Sequence, residues 1–160
     1  MPRIGITGHS NLTGGSVPLV AAAIRAALDP YRPADLIGVT CLARGADQVF
    51  ARAVLDLGGA VEVVLPAADY RERKVKPDNA AEFDELLRRA SVVRTMPFAR
   101  SNADAYMAAS EQVLSTVDAL IAVWDGQPSG GYAGTADVVA AAHERDLPVT
   151  VVWPDDANRE

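Results

Sequence analysis

The sequence predicts a single α/β domain, a three-layer sandwich in which helices cover both faces of a mostly parallel central sheet. Short apolar runs rich in β-branched residues alternate with longer segments whose apolar residues recur at helical spacing. Residues 118–124 (DALIAVW) are almost continuously apolar, which is typical of a parallel strand buried on both faces. The 160 residues suit one domain, assigned to residues 1–154, and residues 155–160 are predicted to form a frayed tail.

The elements follow from the same patterns. Strands are predicted at residues 3–7, 35–40, 60–65, 91–96, 118–124 and 148–153, the fourth being short and at an edge. Helices are predicted at residues 16–28, 45–58, 78–90, 102–115 and 135–145. Ser16 is expected to cap the first helix, and Asp78 or Asn79 the third. Residues 69–79 (DYRERKVKPDN) are predicted to be a charged loop.

Composition narrows the classes of partner. The net charge is −6, and no long Lys/Arg-rich run occurs, so we expect no nucleic-acid partner. The single cysteine, Cys41, fits a reducing compartment, and the two histidines show no metal-ligand spacing, so neither metal nor cofactor is predicted. Without a signal-peptide pattern or a span-length apolar run, we expect a cytoplasmic protein with no membrane partner.

The loops that follow the strands are the places to search for a site. In parallel sheets, ligands bind beyond the carboxyl ends of the strands, where the strand order reverses. The loop after the fifth strand, WDGQPSGGYAGTAD, is rich in glycine, so its backbone N–H groups can approach a ligand closely. Thr135 follows at a helix N-terminus, where free amides favour an anion such as phosphate. The alternative is a flexible loop in which Thr135 only caps the helix.

Other loop residues also carry two interpretations. His9 either contacts the ligand or occupies a turn, and Asp47 either binds a ribose hydroxyl or stabilises a helix N-terminus. Cys41 is expected to be a packed small residue, because nothing near it in sequence lowers a thiol pKa. The basic cluster that runs from Arg71 to Lys76 is either a solvated loop or a clamp over phosphate.

The predicted ligand site gathers residues from four loops, and no catalytic residue is assigned. It consists of Gly8, His9, Ser10, Asn11, Ala43, Gly45, Ala46, Asp47, Pro66, Arg71, Asp125, Gly126, Gly130, Gly131, Gly134, Thr135 and Asp137.

Three motifs, GITGHSN, LARGAD and DALIAVWDG…GGYAGTADVV, together resemble the SLOG superfamily, the Rossmann-like group related to LOG and DprA. The resemblance covers most of the chain. It implies a Rossmann-like fold, a nucleotide or nucleotide-derived ligand at the strand ends, and a homodimer. Some members are sensors or carriers, whereas the LOG branch cuts the N-glycosidic bond of a nucleoside 5′-monophosphate.

The chain departs from the LOG signature P-G-G-x-G-T-x-x-E at functionally important positions. Gly134 and Thr135 match after one extra residue, but Val138 stands where the glutamate is expected. Ala109 occupies the position of the LOG arginine, and Ser10 replaces an arginine that is frequent in the first motif. We therefore expect a nucleotide-binding sensor or carrier, with a LOG-like N-glycosidase as the alternative. Enzymatic activity stays open, and a DNA-handling module is disfavoured by the net charge.

Overall fold

The computed structural model describes residues 2–128 and 131–160. It contains a six-stranded sheet in which every neighbouring pair is parallel. The strands are β1 (Arg3–Gly8), β2 (Ile37–Thr40), β3 (Ala60–Leu65), β4 (Val92–Thr95), β5 (Ala119–Val123) and β6 (Val149–Val152). Their order is β4-β3-β2-β1-β5-β6, so the strand order reverses between β1 and β5.

Helices cover both faces of this sheet. They are α1 (Ser16–Leu28), α2 (Ala46–Leu57), α3 (Tyr70–Lys74), α4 (Pro77–Arg89), α5 (Ala103–Thr116) and α6 (Thr135–Glu144). On one face α1, α2 and α4 bury an apolar core that includes Ile24, Phe50 and Phe83. On the other face α5 and α6 cover smaller clusters that include Val113 and Val138. The predicted Rossmann-like three-layer sandwich is confirmed, and the sheet is wholly parallel.

Several predicted boundaries and caps are wrong for local reasons. The N-cap of α1 is Gly15, while Ser16 is buried inside the first turn. Neither Asp78 nor Asn79 caps α4, because Pro77, pre-set for a helix start, begins it after Lys76. The second strand begins at Ile37, because a 3₁₀ helix occupies Pro33–Asp35.

The remaining elements agree with the prediction only in part. Asn102 caps α5, its side chain accepting a hydrogen bond from the Ala105 N–H. The fourth strand is short and lies at an edge of the sheet, and all four of its residues are exposed. Part of the predicted charged loop forms the short helix α3. None of the helices in the described ranges is long and apolar enough to cross a membrane.

The C-terminal segment, residues 155–160, is packed against the loop after β1 instead of being frayed. Arg159 forms an antiparallel bridge with Leu12, and the Glu160 N–H donates to the Asn11 carbonyl at 2.8 Å. Ala157 is buried. The prediction of a frayed tail is therefore wrong, because the backbone of this segment pairs with the loop after β1. A terminus is ordered when its backbone finds such partners.

Candidate functional site

Two cavities meet at the carboxyl ends of β1 and β5, where the strand order reverses. The larger, here called the cleft, has a volume of about 1130 Å³ and is bordered by the loops after β1, β2 and β3 and by α4, α5 and α6. The smaller, here called the pocket, has a volume of about 270 Å³ and lies at the N-terminus of α6. Ser10, Asn11 and Gly134 border both cavities. Ligands of open parallel sheets bind at this position.

The loop after β1 is held in place by close backbone packing. Gly8 has no room for a side chain, because a Cβ there would lie 2.5 Å from the Cβ of Ala46. Gly45 has a left-handed φ of 85°, and its missing Cβ would lie 2.6 Å from the His9 carbonyl oxygen. The Ala46 N–H donates to that carbonyl at 3.2 Å. Gly8 and Gly45 therefore allow the loops after β1 and β2 to pack closely against each other. Both glycines also border the cleft.

The loop after β2 forms the floor of the cleft and holds an unusual backbone conformation. Leu42 is fully buried with a φ of 61°, which is unfavourable for a branched side chain. Two side chains fix it there: its N–H donates to Thr40 Oγ1 at 2.9 Å, and its carbonyl accepts from Gln48 Nε2 at 3.2 Å. Gln48 also exchanges two hydrogen bonds with the buried amide of Asn79. These hydrogen bonds hold the backbone of the floor in this conformation.

Asp47 is a buried carboxyl group at the edge of the cleft. Its Oδ2 accepts a hydrogen bond from the Ala43 N–H at 3.2 Å. Burial raises the pKa of Asp47 to about 7, although the hydrogen bonds from Ala43 and Thr40 oppose this rise. Asp47 thus gains or loses its proton near neutral pH, so it can act as a hydrogen-bond donor or acceptor toward a ligand.

Three charged or titratable side chains support the pocket. Asp125 lies between His9 and Arg159, with its Oδ1 3.3 Å from His9 Nε2 and its Oδ2 2.7 Å from Arg159 Nε. Arg159 Nη1 lies 3.4 Å from His9 Nδ1. Burial and the positive charge of Arg159 lower the pKa of His9, which favours the neutral imidazole. Burial opposes ionisation of Asp125, but the hydrogen bond from Gln127 and its charged neighbours lower its pKa.

The loop after β5 places the start of α6 beside the pocket. Gly134 is the N-cap, and Thr135 and Ala136, the first two helical residues, border the pocket. The Asp137 carboxylate points back into the loop, where it accepts from the Ala133 N–H at 2.9 Å. The first N–H groups of a helix have no partner within the helix, so this end favours an anion. Thr135 therefore stands at the helix start, as predicted, but it does not cap the helix.

The far end of the cleft is aromatic and basic. Tyr70 and Tyr106 pack edge to face with ring centroids 6.3 Å apart, and both border the cleft together with Lys74 and Lys76. Burial raises the pKa of the Tyr70 phenol. Arg71 does not border the cleft, because its guanidinium forms two hydrogen bonds with the Asp84 carboxylate on α4.

The structure brings together ten of the predicted site residues around the two cavities: Gly8, His9, Ser10, Asn11, Ala43, Gly45, Asp47, Pro66, Gly134 and Thr135. Six others border neither cavity: Ala46, Arg71, Asp125, Gly126, Gly131 and Asp137. Gly130 lies outside the described residues.

Sequence reasoning missed Arg159, Tyr106 and the two lysines Lys74 and Lys76 as cavity residues. Arg159 lies in the segment that was expected to fray, and Tyr106 lies within a helix whose position over the cleft no local pattern reveals. Both lysines belong to the basic cluster that runs from Arg71 to Lys76, of which only Arg71 is predicted as a site residue.

Cys41 also borders the cleft, and burial, followed by the nearby negative charge of Asp47, raises the pKa of its thiol. This agrees with its predicted role as a packed residue. Within residues 2–128 and 131–160, no group of three or more His, Cys, Asp or Glu side chains is close enough to hold a metal ion.

Comparisons with known proteins identify the fold. No family model matches the chain, and no curated protein is significantly similar to it in sequence. DprA from Streptococcus pneumoniae superposes with a TM-score of 0.70 at 14% identity over 98% of this chain and 52% of its own. DprA from Helicobacter pylori gives 0.69 at 16% identity, covering 99% and 68%. The molybdenum cofactor binding protein from Rippkaea orientalis gives 0.61 at 16% identity, covering 96% and 77%.

These likenesses confirm the Rossmann-like fold, and the chain spans about half the length of the S. pneumoniae DprA. They also overturn one expectation. The DprA from H. pylori binds single-stranded DNA, so the expectation that excluded a nucleic-acid partner on net charge was wrong. Net charge is a weak guide to such a partner because it sums over the whole surface, whereas nucleic-acid binding depends on where basic groups lie locally.

Proposed function

We propose that this chain binds a nucleotide or nucleotide-derived ligand, as a sensor or carrier, with the phosphate in the pocket and the remainder in the cleft. The observation that carries the proposal is the junction of the two cavities at Ser10, Asn11 and Gly134. One side of that junction offers a helix N-terminus and a guanidinium, both of which favour an anion. The other side offers a volume of about 1130 Å³, ample for a base and sugar.

The cleft also contains groups suited to the uncharged parts of such a ligand. Asp47 presents a carboxyl that can exchange hydrogen bonds with ribose hydroxyls or a base edge. Tyr70 and Tyr106 provide aromatic surface near Lys74, and aromatic side chains stack on bases without regard to their identity. A ligand that extends from the pocket to these tyrosines would use all three features.

The wall of the cleft favours binding over LOG-like hydrolysis. Ala109 and Val138, which occupy the positions of the LOG arginine and glutamate, both border the cleft. This wall therefore presents neither a carboxylate to stabilise an oxocarbenium-like sugar nor a cation. N-glycosidic cleavage remains the second candidate because of one observation: Asp47 borders the cleft with a pKa of about 7, which suits a general acid or base.

The proposal is tested by isothermal titration calorimetry with AMP, GMP, ADP, ATP and ADP-ribose at low salt. We expect at least one of them to bind, and we expect Ser10→Trp, which fills the junction, to abolish that binding. Gly131→Trp is the matched control, because Gly131 borders neither cavity and has open space around it. The proposal would be contradicted if none of these nucleotides bound, or if Ser10→Trp bound them with the same affinity as the wild type.

Two further arms separate the alternatives. Chromatography of each mixture for released base tests the hydrolase, which requires free base in the wild type and its loss in Asp47→Asn. A fluorescent oligothymidine tests single-stranded DNA, whose backbone phosphodiesters are also anionic. Binding of the oligothymidine with no binding of free nucleotides would move the function from small-molecule carriage to nucleic acid.

A further inference from the structure

The C-terminal segment is built into the site by contacts along its length. The Asn158 carbonyl accepts from the Thr13 N–H at 3.1 Å, and the Asn158 N–H donates to Ser16 Oγ at 2.7 Å. Together with the Leu12–Arg159 bridge, these bonds tie the segment to the loop after β1 and to the start of α1. The backbone of Arg159 is therefore fixed on both sides.

The side chain of Arg159 is fixed as well. Its Nε contacts Asp125 Oδ2 at 2.7 Å, and its Nη1 lies 3.4 Å from Nδ1 of His9. The side chains of Asp125 and His9 are only 15% and 7% exposed, so both neighbours of Arg159 are largely enclosed by the protein. His9 packs edge to face on Trp153 with ring centroids 5.4 Å apart. A guanidinium that is held in this way binds an anion at little cost in side-chain entropy.

The held guanidinium borders the pocket. Arg159 lines it together with Thr135 and Ala136, whose backbone begins α6. Arg159 Nη2 has no hydrogen-bond partner within residues 2–128 and 131–160. A volume of about 270 Å³ holds a phosphate group with bound water. The cation and the helix start thus belong to the same small cavity.

We propose that Arg159 is a phosphate-binding residue, supplied by the C-terminal segment and positioned by Asp125 and His9. This inference rests on the proposed function and adds a residue that the resemblance does not supply. Because a bound phosphate contacts Arg159 only when the segment is docked, ligand binding also stabilises the docking of residues 157–160. Asp125, predicted as a ligand-site residue, acts instead as a positioning residue.

The test compares AMP with adenosine, which lacks the phosphate, in the wild type and in Arg159→Ala and Arg159→Lys. Loss of a charge-assisted hydrogen bond predicts that Arg159→Ala weakens AMP about 10- to 100-fold. Adenosine binding should not change, and Arg159→Lys should lie between the two because it keeps the charge. Arg145→Ala is the matched control: it removes the same charge and also breaks an ion pair, with Glu111, but at the other end of α6.

A second probe separates this inference from the proposed function. Inorganic pyrophosphate should raise the melting temperature of the wild type and of Arg145→Ala, but not that of Arg159→Ala. That result would support the anion site even if no nucleotide bound. Unchanged AMP affinity in Arg159→Ala would overturn the inference while leaving the proposed function intact. Tighter binding in Arg159→Ala would overturn it too, since the segment would then be a competitor for the pocket.

Discussion

Replacement of Asp47 by asparagine should change how stability depends on pH. The native carboxyl has a pKa of about 7, compared with an ordinary value of 3.8, because it is buried. Between these two values the unfolded chain has lost the proton that the native chain keeps, so the free energy of unfolding falls as pH rises. The difference of roughly three pH units, at about 1.4 kcal/mol each, is worth about 4 kcal/mol as an upper bound.

Asparagine reproduces the protonated form, because its carbonyl oxygen can still accept from the Ala43 N–H and its amide can donate to Thr40. The free energy of unfolding of Asp47→Asn, relative to that of the wild type, should therefore increase from pH 4.5 to about 7.5 and level off above that. Urea unfolding monitored by circular dichroism at one-unit intervals measures the difference. Asp56→Asn, at an exposed ion pair with Arg25, is the control. A difference that does not vary with pH, or that shrinks as pH rises, would refute the reasoning.

Three further outcomes are expected. Gly45→Ala should cost about 2–4 kcal/mol in urea unfolding, because of the left-handed φ and the backbone contact, whereas Gly14→Ala, with open space around it, should stay within about 0.5 kcal/mol. Gln48→Ala should lower the free energy of unfolding by about 1–3 kcal/mol, because it leaves the buried Asn79 amide without its hydrogen-bond partner. Additive losses in a double-mutant cycle of Gln48 and Asn79 would contradict this. Labelling of Cys41 by a disulfide reagent at pH 8 should be at least about tenfold slower in the native chain than in urea, since its thiol pKa is raised.

Periodicity was sufficient for the fold, but not for every detail of it. The buried run that became β5 and the helical stripe of α1 identified parallel strands with helical crossovers, and the sheet has that form. The predicted element boundaries were wrong where local signals compete, as at Pro33, which starts a 3₁₀ helix, and at Pro77, which starts α4. In each case a proline with its fixed φ decided where the element begins.

The candidate site was predictable only where its residues follow strands. Ser10, Asp47 and Gly134 were found because the carboxyl ends of parallel strands share one edge. Arg159 was not, because its position depends on backbone pairing with Leu12, far away in sequence. Asp125 was found as a loop carboxylate, but its partners, His9 and Arg159, could be identified only in three dimensions.

The central position of β1 determines when the site can exist during synthesis. β1 pairs with β2 early, but its other neighbour, β5, begins only at Ala119, so one long edge of the first strand stays open until most of the chain has emerged. Such distant pairing slows folding and lengthens the time for which that edge is exposed to other chains. Both cavities lie where β1 and β5 meet, so they exist only in chains that have closed this gap, and the proposed ligand would recognise only such chains. Its presence in the cell would therefore favour completed molecules over partly folded ones.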